Sequence, residues 1–219
     1  MKHTLFAIAL ATLVLAGCKK KTDYEAIDFG YDYFPTEIGT FVEYEVDSIS
    51  YGEVNDTSHF YLREVIADDF IDNERQMALK VERYKRTNLT DEWELTDVWV
   101  QKRTTTTAER IEENIRYIRL VFPMEQGDSW DGNVYNTDAP WQYAYGSLNI
   151  PYQVDNLSFN ETVKVEQRNN INLIDQEEAW EVYARGVGLI EKRLLDLTYQ
   201  NLEITGVFVH MRAINYGTE

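Results

Sequence analysis

Apolar and polar side chains alternate with a period of two along most of this chain, and this pattern constrains its fold more than any other feature. Val42, Tyr44 and Val46, for example, alternate with acidic residues. A period of two is typical of a strand that has one buried and one solvated face. Similar segments are centred on residues 42–46, 77–81, 98–100, 115–122, 141–145, 163–165, 180–184 and 207–213.

Turn-forming residues separate these segments, which predicts short connections between antiparallel strands. The predicted fold is therefore mainly all-β, an antiparallel and strongly curved sheet that forms a barrel or a half-barrel. Few short helices are expected, and only residues 107–114 have the character of a helical turn or two. The turn residues are Asn55-Asp56, Asp72-Asn73, Asp131-Gly132-Asn133 and Asn169-Asn170.

One short motif occurs twice. Phe34-Pro35-Thr36-Glu37-Ile38-Gly39 recurs as Phe122-Pro123-Met124-Glu125-Gln126-Gly127. Proline fixes φ and glycine permits a positive φ, so each copy can form a tight turn that leads into a strand. Two explanations remain open: a duplication that produced two related half-sheets, or one turn that was favoured twice.

The N-terminus resembles a bacterial lipoprotein signal. Lys2 is followed by a short apolar run over residues 4–15, and the run ends in Leu15-Ala16-Gly17-Cys18. A positive start, a short apolar segment and small residues before the cleavage point are typical of secretory signals. The apolar run is too short for a transmembrane helix, which needs roughly 20 residues. The alternative is a secreted protein that has a cysteine at this position by chance.

The predicted organisation follows from this motif. Residues 1–17 are a signal peptide, residues 18–33 are a lipidated tether, and residues 34–219 are a single β-rich domain. Cys18 is the predicted site of lipid attachment, and its acyl chains would hold the protein at a membrane. It is also the only cysteine of the chain, so lipidation leaves no thiol for a disulfide, a zinc site or a nucleophile.

The net charge limits the choice of partners. The full chain carries 21 basic and 38 acidic residues. Removal of the signal peptide, which contains Lys2, would leave 20 basic residues and a net charge of −18. Such a surface repels nucleic acid, so no nucleic-acid partner is expected. No cofactor and no metal site is expected either.

Aromatic residues supply the candidate ligand-binding site. Trp130, Trp141, Tyr143 and Tyr145 lie close together in sequence. Exposed rings of this kind could stack on a sugar or line an apolar pocket. Alternation at positions 141, 143 and 145 is equally what the buried face of a strand requires, and the pattern favours this second interpretation.

Several motifs together resemble those of a group of Bacteroidetes envelope lipoproteins. They are Phe34-Pro35-x-x-x-Gly39, Leu120-Val121-Phe122-Pro123, Trp130-Asp131-Gly132-Asn133 and Tyr183-Ala184-Arg185-Gly186-Val187-Gly188-Leu189. The resemblance covers most of residues 30–215. It implies an envelope location, with export to the outer membrane, and a β-rich fold. It supplies no catalytic residues.

The resemblance also bears on location and modification. Surface-exposed lipoproteins of that phylum tend to carry acidic residues after the lipidated cysteine, whereas this chain has Lys19-Lys20-Lys21. The periplasmic leaflet is therefore favoured over the cell surface. Asp47-Ser48-Ile49 is similar to the O-glycosylation acceptor pattern of the phylum, which makes Ser48 a candidate glycosylation site.

Three functions are consistent with these features. The favoured one is a non-enzymatic, lipid-anchored binding or accessory module of the envelope, with a protein or glycan partner. The first alternative is a periplasmic carrier or chaperone for an apolar ligand or a lipoprotein. The second is a glycan-processing enzyme that uses paired carboxylates, one of which would need a raised pKa.

Overall fold

The computed structural model describes residues 27–201 and 203–219. It confirms the predicted class, because the chain forms one nearly closed, barrel-like antiparallel sheet of twelve strands. A 3-10 helix, Tyr31–Tyr33, precedes the sheet. The strands are β1 (Thr40–Tyr51), β2 (Asp56–Ile71), β3 (Met77–Arg86), β4 (Glu94–Arg103), β5 (Thr107–Glu112), β6 (Ile115–Val121), β7 (Ser129–Asp131), β8 (Gln142–Val154), β9 (Leu157–Ile171), β10 (Asp175–Ala184), β11 (Gly188–Gln200) and β12 (Glu203–Thr218).

The strands form two consecutive six-stranded meanders, β1 to β6 and β7 to β12. Their order in the sheet is β6-β5-β4-β3-β2-β1-β12-β11-β10-β9-β8-β7. The first and last strands, β1 and β12, pair over the whole length of β1, from Thr40↔Thr218 to Tyr51↔Gly206. The end strands β6 and β7 approach each other on the opposite side, where the Ile118 amide donates to the Gly132 carbonyl at 2.9 Å.

The glycine-containing ends of the two motif copies form the same turn, closed by Thr40 N–H to the Glu37 carbonyl and by Asp128 N–H to the Glu125 carbonyl. Gly39 and Gly127 have φ values of 88° and 89°. The Gly39 amide donates to Ile66 of β2 at 2.8 Å, and the Gly127 amide donates to Tyr145 of β8 at 3.1 Å. Since β2 and β8 occupy the same position in their meanders, the two turns are equivalent, as expected if the sheet has two related halves.

The predicted helical character of residues 107–114 is wrong. Residues Thr107–Glu112 form β5. Glu113 and Asn114, with φ values of 49° and 65°, form the tight turn to β6. Strand β5 contains the β-branched residues Thr107 and Ile111, and it pairs with β4 on one side and with β6 on the other. Sheet pairing on two edges overrides the weak helical preference of this segment.

Residues just before the predicted domain boundary at residue 34 also pack against the sheet. Tyr33 is only 1% exposed and belongs to the same apolar cluster as Phe34, Leu120 and Val165. The predicted signal peptide lies outside the described residues. So do residues 18–26 of the predicted tether, which include Cys18. Within the described part of the chain, no helix combines the length and the apolar character that a membrane span requires.

Candidate binding cavity inside the sheet

Three of the four predicted aromatic ligand-binding residues are buried. Trp130, Tyr143 and Tyr145 have exposed fractions of 8%, 0% and 2%. Their rings contact one another, with centroid distances of 5.9 Å for Trp130–Tyr143 and 4.7 Å for Trp130–Tyr145. The structure thus gives them the core role that alternation favoured, and none of the three offers a ring face for stacking on a sugar. Trp141 is half-buried beneath Arg168, whose guanidinium lies 4.1 Å from the ring centroid.

The polar ends of these rings close the gap between β6 and β7. Trp130 Nε1 donates to the Ile118 carbonyl at 3.1 Å. The Tyr145 hydroxyl accepts from the Val121 amide at 2.8 Å and donates to the Val121 carbonyl at 2.7 Å. Asn136 Nδ2 donates to the Arg116 carbonyl at 2.9 Å. Side chains therefore satisfy the edge of β6 that a neighbouring strand would otherwise pair with.

Ser48, the candidate glycosylation site, lies in the middle of β1 and is half-buried. It pairs with Ser58 of β2 and with Val209 of β12. Because side chains alternate along a strand, Ser48 shares the inner face of β1 with Val46. Glycosylation at Ser48 stays a prediction, and this inward position does not favour modification of the folded protein.

A segment that precedes β1 closes one end of the sheet. We call residues 28–35 the plug; it lies where β4 and β10 end and where β1 and β11 begin. Arg103 donates from Nη1 to the carbonyls of Tyr31 and Phe34, at 2.8 Å each. Gln101 Nε2 donates to the Pro35 carbonyl at 2.7 Å. This end of the sheet is thus covered by the chain itself.

A cavity of about 160 Å³ lies inside the sheet, above the Phe34 side chain of the plug. One wall is apolar. The other carries four basic and three acidic side chains, with the Trp99 ring among them. The apolar residues are Val46, Phe60, Leu62, Leu189, Val209 and Met211, and the charged ones are Glu64, Arg83, Arg110, Glu112, Arg119, Glu181 and Lys192.

The charged wall contains a first group of ion pairs centred on Glu64, which is 7% exposed. Glu64 accepts from Arg83 Nε at 3.0 Å through one oxygen and from Arg110 Nη1 at 2.8 Å through the other. Arg83 also covers the Trp99 ring, with its guanidinium 3.4 Å from the ring centroid. Burial alone would raise the pKa of Glu64, but the charges of Arg110 and Arg83 outweigh it and hold the pKa below its usual value.

A second group is centred on Arg119. Its Nη2 atom lies 2.6 Å from Glu112, and its Nη1 atom lies 3.4 Å from Glu181 and 3.3 Å from the Tyr143 hydroxyl. Lys192 Nζ is also 3.4 Å from Glu181. Burial opposes ionisation of Glu112, but Arg119 and Lys192 outweigh it and lower the pKa of Glu112 to about 2. The pKa of Glu181 is lowered for the same reason.

These pKa shifts determine what the buried acids can do chemically. Glu64, Glu112 and Glu181 are all stabilised as carboxylates, so each accepts hydrogen bonds and balances positive charge. A glycoside hydrolase needs one acid with a raised pKa to protonate the leaving group. The pKa values of the three cavity acids are shifted in the opposite direction, so none of them provides this raised pKa.

Stability alone does not account for this charged wall. Buried ion pairs pay a large desolvation penalty, and well-packed apolar residues of similar volume are often as stable or more stable. Clusters of perturbed ionisable groups beside a cavity are frequent at functional sites. We therefore consider the cavity the candidate functional site of the chain.

The cavity residues were not among the predicted site residues. In the sequence, Glu64, Arg110 and Glu181 look like residues of the solvated face of amphipathic strands. The only available signal was that charged residues such as Arg119 occur beside strongly apolar neighbours, Ile118 and Leu120. That signal does not distinguish the interior of a barrel from its surface.

A second buried cation lies outside the cavity. Lys102 is 3% exposed, and its Nζ contacts Asp72 at 2.8 Å and Glu74 at 2.5 Å. These acids belong to the acidic turn between β2 and β3, which therefore packs against the sheet through ion pairs. In residues 27–201 and 203–219, no group of three or more histidine, cysteine or acidic side chains has an arrangement that could hold a metal ion.

The fold and the cavity define the class of protein: a nearly closed antiparallel meander with a charged interior. No family model and no curated protein matches the chain. Among solved structures, it is similar to a protein from Bacteroides fragilis NCTC 9343 that was described as exported and as having a YmcC-like fold. The identity is 11% and the TM-score is 0.45, over 84% of this chain and 98% of that chain.

Proposed function

We propose that this chain is a lipid-anchored, non-enzymatic binding module of the cell envelope, attached through Cys18 to the periplasmic leaflet of the outer membrane. Its ligand is a small molecule bound in the cavity inside the sheet. The signal-like N-terminus supports the anchor. The observation that supports binding is the two-sided lining of the cavity, apolar on one wall and charged on the other.

The size of the cavity restricts the ligand. Binding pockets for drug-sized molecules measure roughly 300–1,000 Å³, whereas this cavity measures about 160 Å³. A cavity of roughly 150 Å³ is sufficient for benzene. A compact ligand of about that size fits, and a long acyl chain does not. The cavity therefore does not support the alternative of a carrier that binds the acyl chain of a lipid or a lipoprotein.

The anchor is tested with Cys18→Ala in the full-length precursor. In cells labelled with a radioactive fatty acid, the wild-type protein is expected to carry label and to sediment with membranes. The variant is expected to lose both properties. Ser48→Ala is the control and should keep the fatty-acid label and the membrane fraction. An unlabelled wild-type protein would contradict the anchor.

Binding is tested by native mass spectrometry of the mature protein, purified from its own envelope. A retained small molecule is expected in the wild type. Val209→Phe places a larger side chain on the apolar wall, so this variant should no longer retain the molecule. Val98→Phe is the matched control, because Val98 is 50% exposed on the outer side of β4 and does not line the cavity. A retained molecule that is equally abundant in both variants, or no retained molecule in the wild type, would contradict the proposed binding site.

A further inference from the structure

We propose that the cavity binds a small organic monoanion with a compact apolar body, such as an aryl or a branched aliphatic carboxylate. This inference rests on the proposed function, because it specifies the ligand class of the same cavity. Its acidic group would lie beside Arg83 and Arg110, and its apolar body would pack against Leu62, Val209 and Met211.

The first argument is the charge of the lining. Four basic and three acidic side chains line the cavity, so it carries one excess positive charge. The whole chain has a net charge of −17, which means that this excess is a local property of the interior. An uncompensated charge is costly where water is excluded. A bound monoanion would neutralise the lining.

The second argument is the position of the excess. The group around Arg119 is balanced, because Arg119 and Lys192 face Glu112 and Glu181. The group around Glu64 has fewer direct ion pairs, because the single carboxylate of Glu64 is shared by Arg83 and Arg110, and Glu112 acts on Arg110 only through its longer-range charge. The excess positive charge therefore lies at these two arginines.

One further acid approaches this group. Asp97 lies 3.5 Å from Arg83 Nη1, but its side chain is 39% exposed. Solvent screens an ion pair at such a position, and surface pairs contribute little. Arg83 also has a fixed plane, because it stacks on the Trp99 ring. A planar, pre-oriented guanidinium is well suited to a carboxylate.

The third argument is the opposite wall. Leu62, Val209 and Met211 offer only apolar surface. Water or an inorganic anion would leave this wall without favourable contacts, whereas an apolar ring or branched chain would cover it. A single negative charge also matches the single excess positive charge, and a dianion such as sulfate would bring an uncompensated negative charge beside Glu64.

Benzoate is the probe for the test, and benzamide and benzylammonium are its neutral and cationic counterparts of similar size. Binding to the mature, lipidated protein in detergent micelles is measured by isothermal titration calorimetry, with empty micelles as the blank. We expect benzoate to bind at least tenfold more tightly than benzamide. Benzylammonium and inorganic sulfate are expected not to bind.

Variants locate the site. Arg83→Gln should weaken benzoate binding at least tenfold and leave benzamide binding unchanged. The matched control is Arg63→Gln: Arg63 also stacks on an aromatic ring, that of Phe41, and also contacts two carboxylates, Glu43 and Glu219. It does not line the cavity, so benzoate binding should not change. Circular dichroism verifies the fold of both variants.

The outcomes separate this inference from the proposed function. Equal affinity for benzoate and benzamide, abolished by Val209→Phe, would overturn the anionic ligand class and leave the binding cavity in place. Tighter binding of benzylammonium than of benzoate would likewise overturn the anionic ligand class and leave the binding cavity in place. If none of the four probes binds and native mass spectrometry also finds no retained molecule, the inference and the proposed binding function both fail.

Discussion

Arg119 Nη2 lies 2.6 Å from Glu112 Oε1 inside the sheet, and the Glu112 side chain is only 17% exposed. Arg119 itself is 6% exposed and also faces Glu181. Each of these carboxylates compensates buried positive charge. Removal of one partner from a buried pair therefore leaves an unbalanced charge, which costs far more than an exposed pair contributes.

This pair predicts a loss of stability in acid. The pKa of Glu112 is about 2 in the folded protein, compared with 4.5 for the free side chain. A lowered pKa contributes stability above pH 4.5 and loses it as the pH falls towards 2, by about 3 kcal/mol in total. Urea denaturation between pH 7 and pH 2 should show this decline.

The matched variants for this measurement are Glu112→Gln and Glu53→Gln. Glu112→Gln should lower the free energy of unfolding at pH 7 and flatten its dependence between pH 4.5 and pH 2. Glu53 lies exposed in the turn between β1 and β2, and its substitution should leave the pH dependence unchanged. An identical acid profile for Glu112→Gln and the wild type would rule out this role of the Arg119 pair.

The two equivalent turns make a second prediction. Gly39→Ala and Gly127→Ala each place a Cβ atom at a positive φ, which costs about 1–2 kcal/mol. The cost at Gly127 is conformational alone, because a Cβ there would meet no atom within 4 Å. Gly52 also has open surroundings but no positive φ, so Gly52→Ala should change stability by less than about 0.5 kcal/mol. Thermal denaturation measures all three.

Asparagine adopts positive φ more readily than alanine. Gly127→Asn should therefore recover part of the stability that Gly127→Ala loses. If Gly127→Ala were as stable as Gly52→Ala, the turn at Gly127 would not need its glycine, and the equivalence of the two turns would have no energetic meaning.

The gap between β6 and β7 supplies a third prediction. In Tyr145→Phe, the amide and the carbonyl of Val121 lose their hydrogen-bond partner, and each unsatisfied buried group costs about 1–3 kcal/mol. Amide hydrogen exchange at Val121 should become faster. Tyr199→Phe is the control, because the Tyr199 hydroxyl contacts Gln176 at an exposed position. Unchanged exchange at Val121 in Tyr145→Phe would mean that the hydroxyl does not close the edge.

The strands could be predicted because they depend on local alternation. Val42, Tyr44 and Val46 are buried, as their period of two predicts. The same alternation defines the two faces of a strand, but it does not specify which face lies inside the barrel-like sheet. That depends on partners distant in sequence, such as Val46 and Met211, which join the two meanders, and on the approach of β6 to β7.

The charged wall shows the consequence of this limit. Glu181 alternates with Val182 in β10, and in the sequence the charged residue belongs on the solvated face. In the closed sheet both are 1% exposed. Glu181 is stabilised there by Arg119 and Lys192, which come from β6 and β11. The cavity is formed by such contacts between strands of both meanders, and no local pattern specifies them.

The plug supplies the last prediction. Arg103 holds the carbonyls of Tyr31 and Phe34, and Phe34 is the floor of the cavity. Arg103→Met removes both hydrogen bonds and keeps much of the apolar stem, so the plug should open more often while the sheet stays folded. Limited proteolysis under native conditions should then cut residues 28–35 faster than in the wild type. Arg193→Met, which removes an ion pair to Glu178 on β10, should leave that rate unchanged. Equal cleavage rates in the two variants would show that Arg103 does not retain the plug.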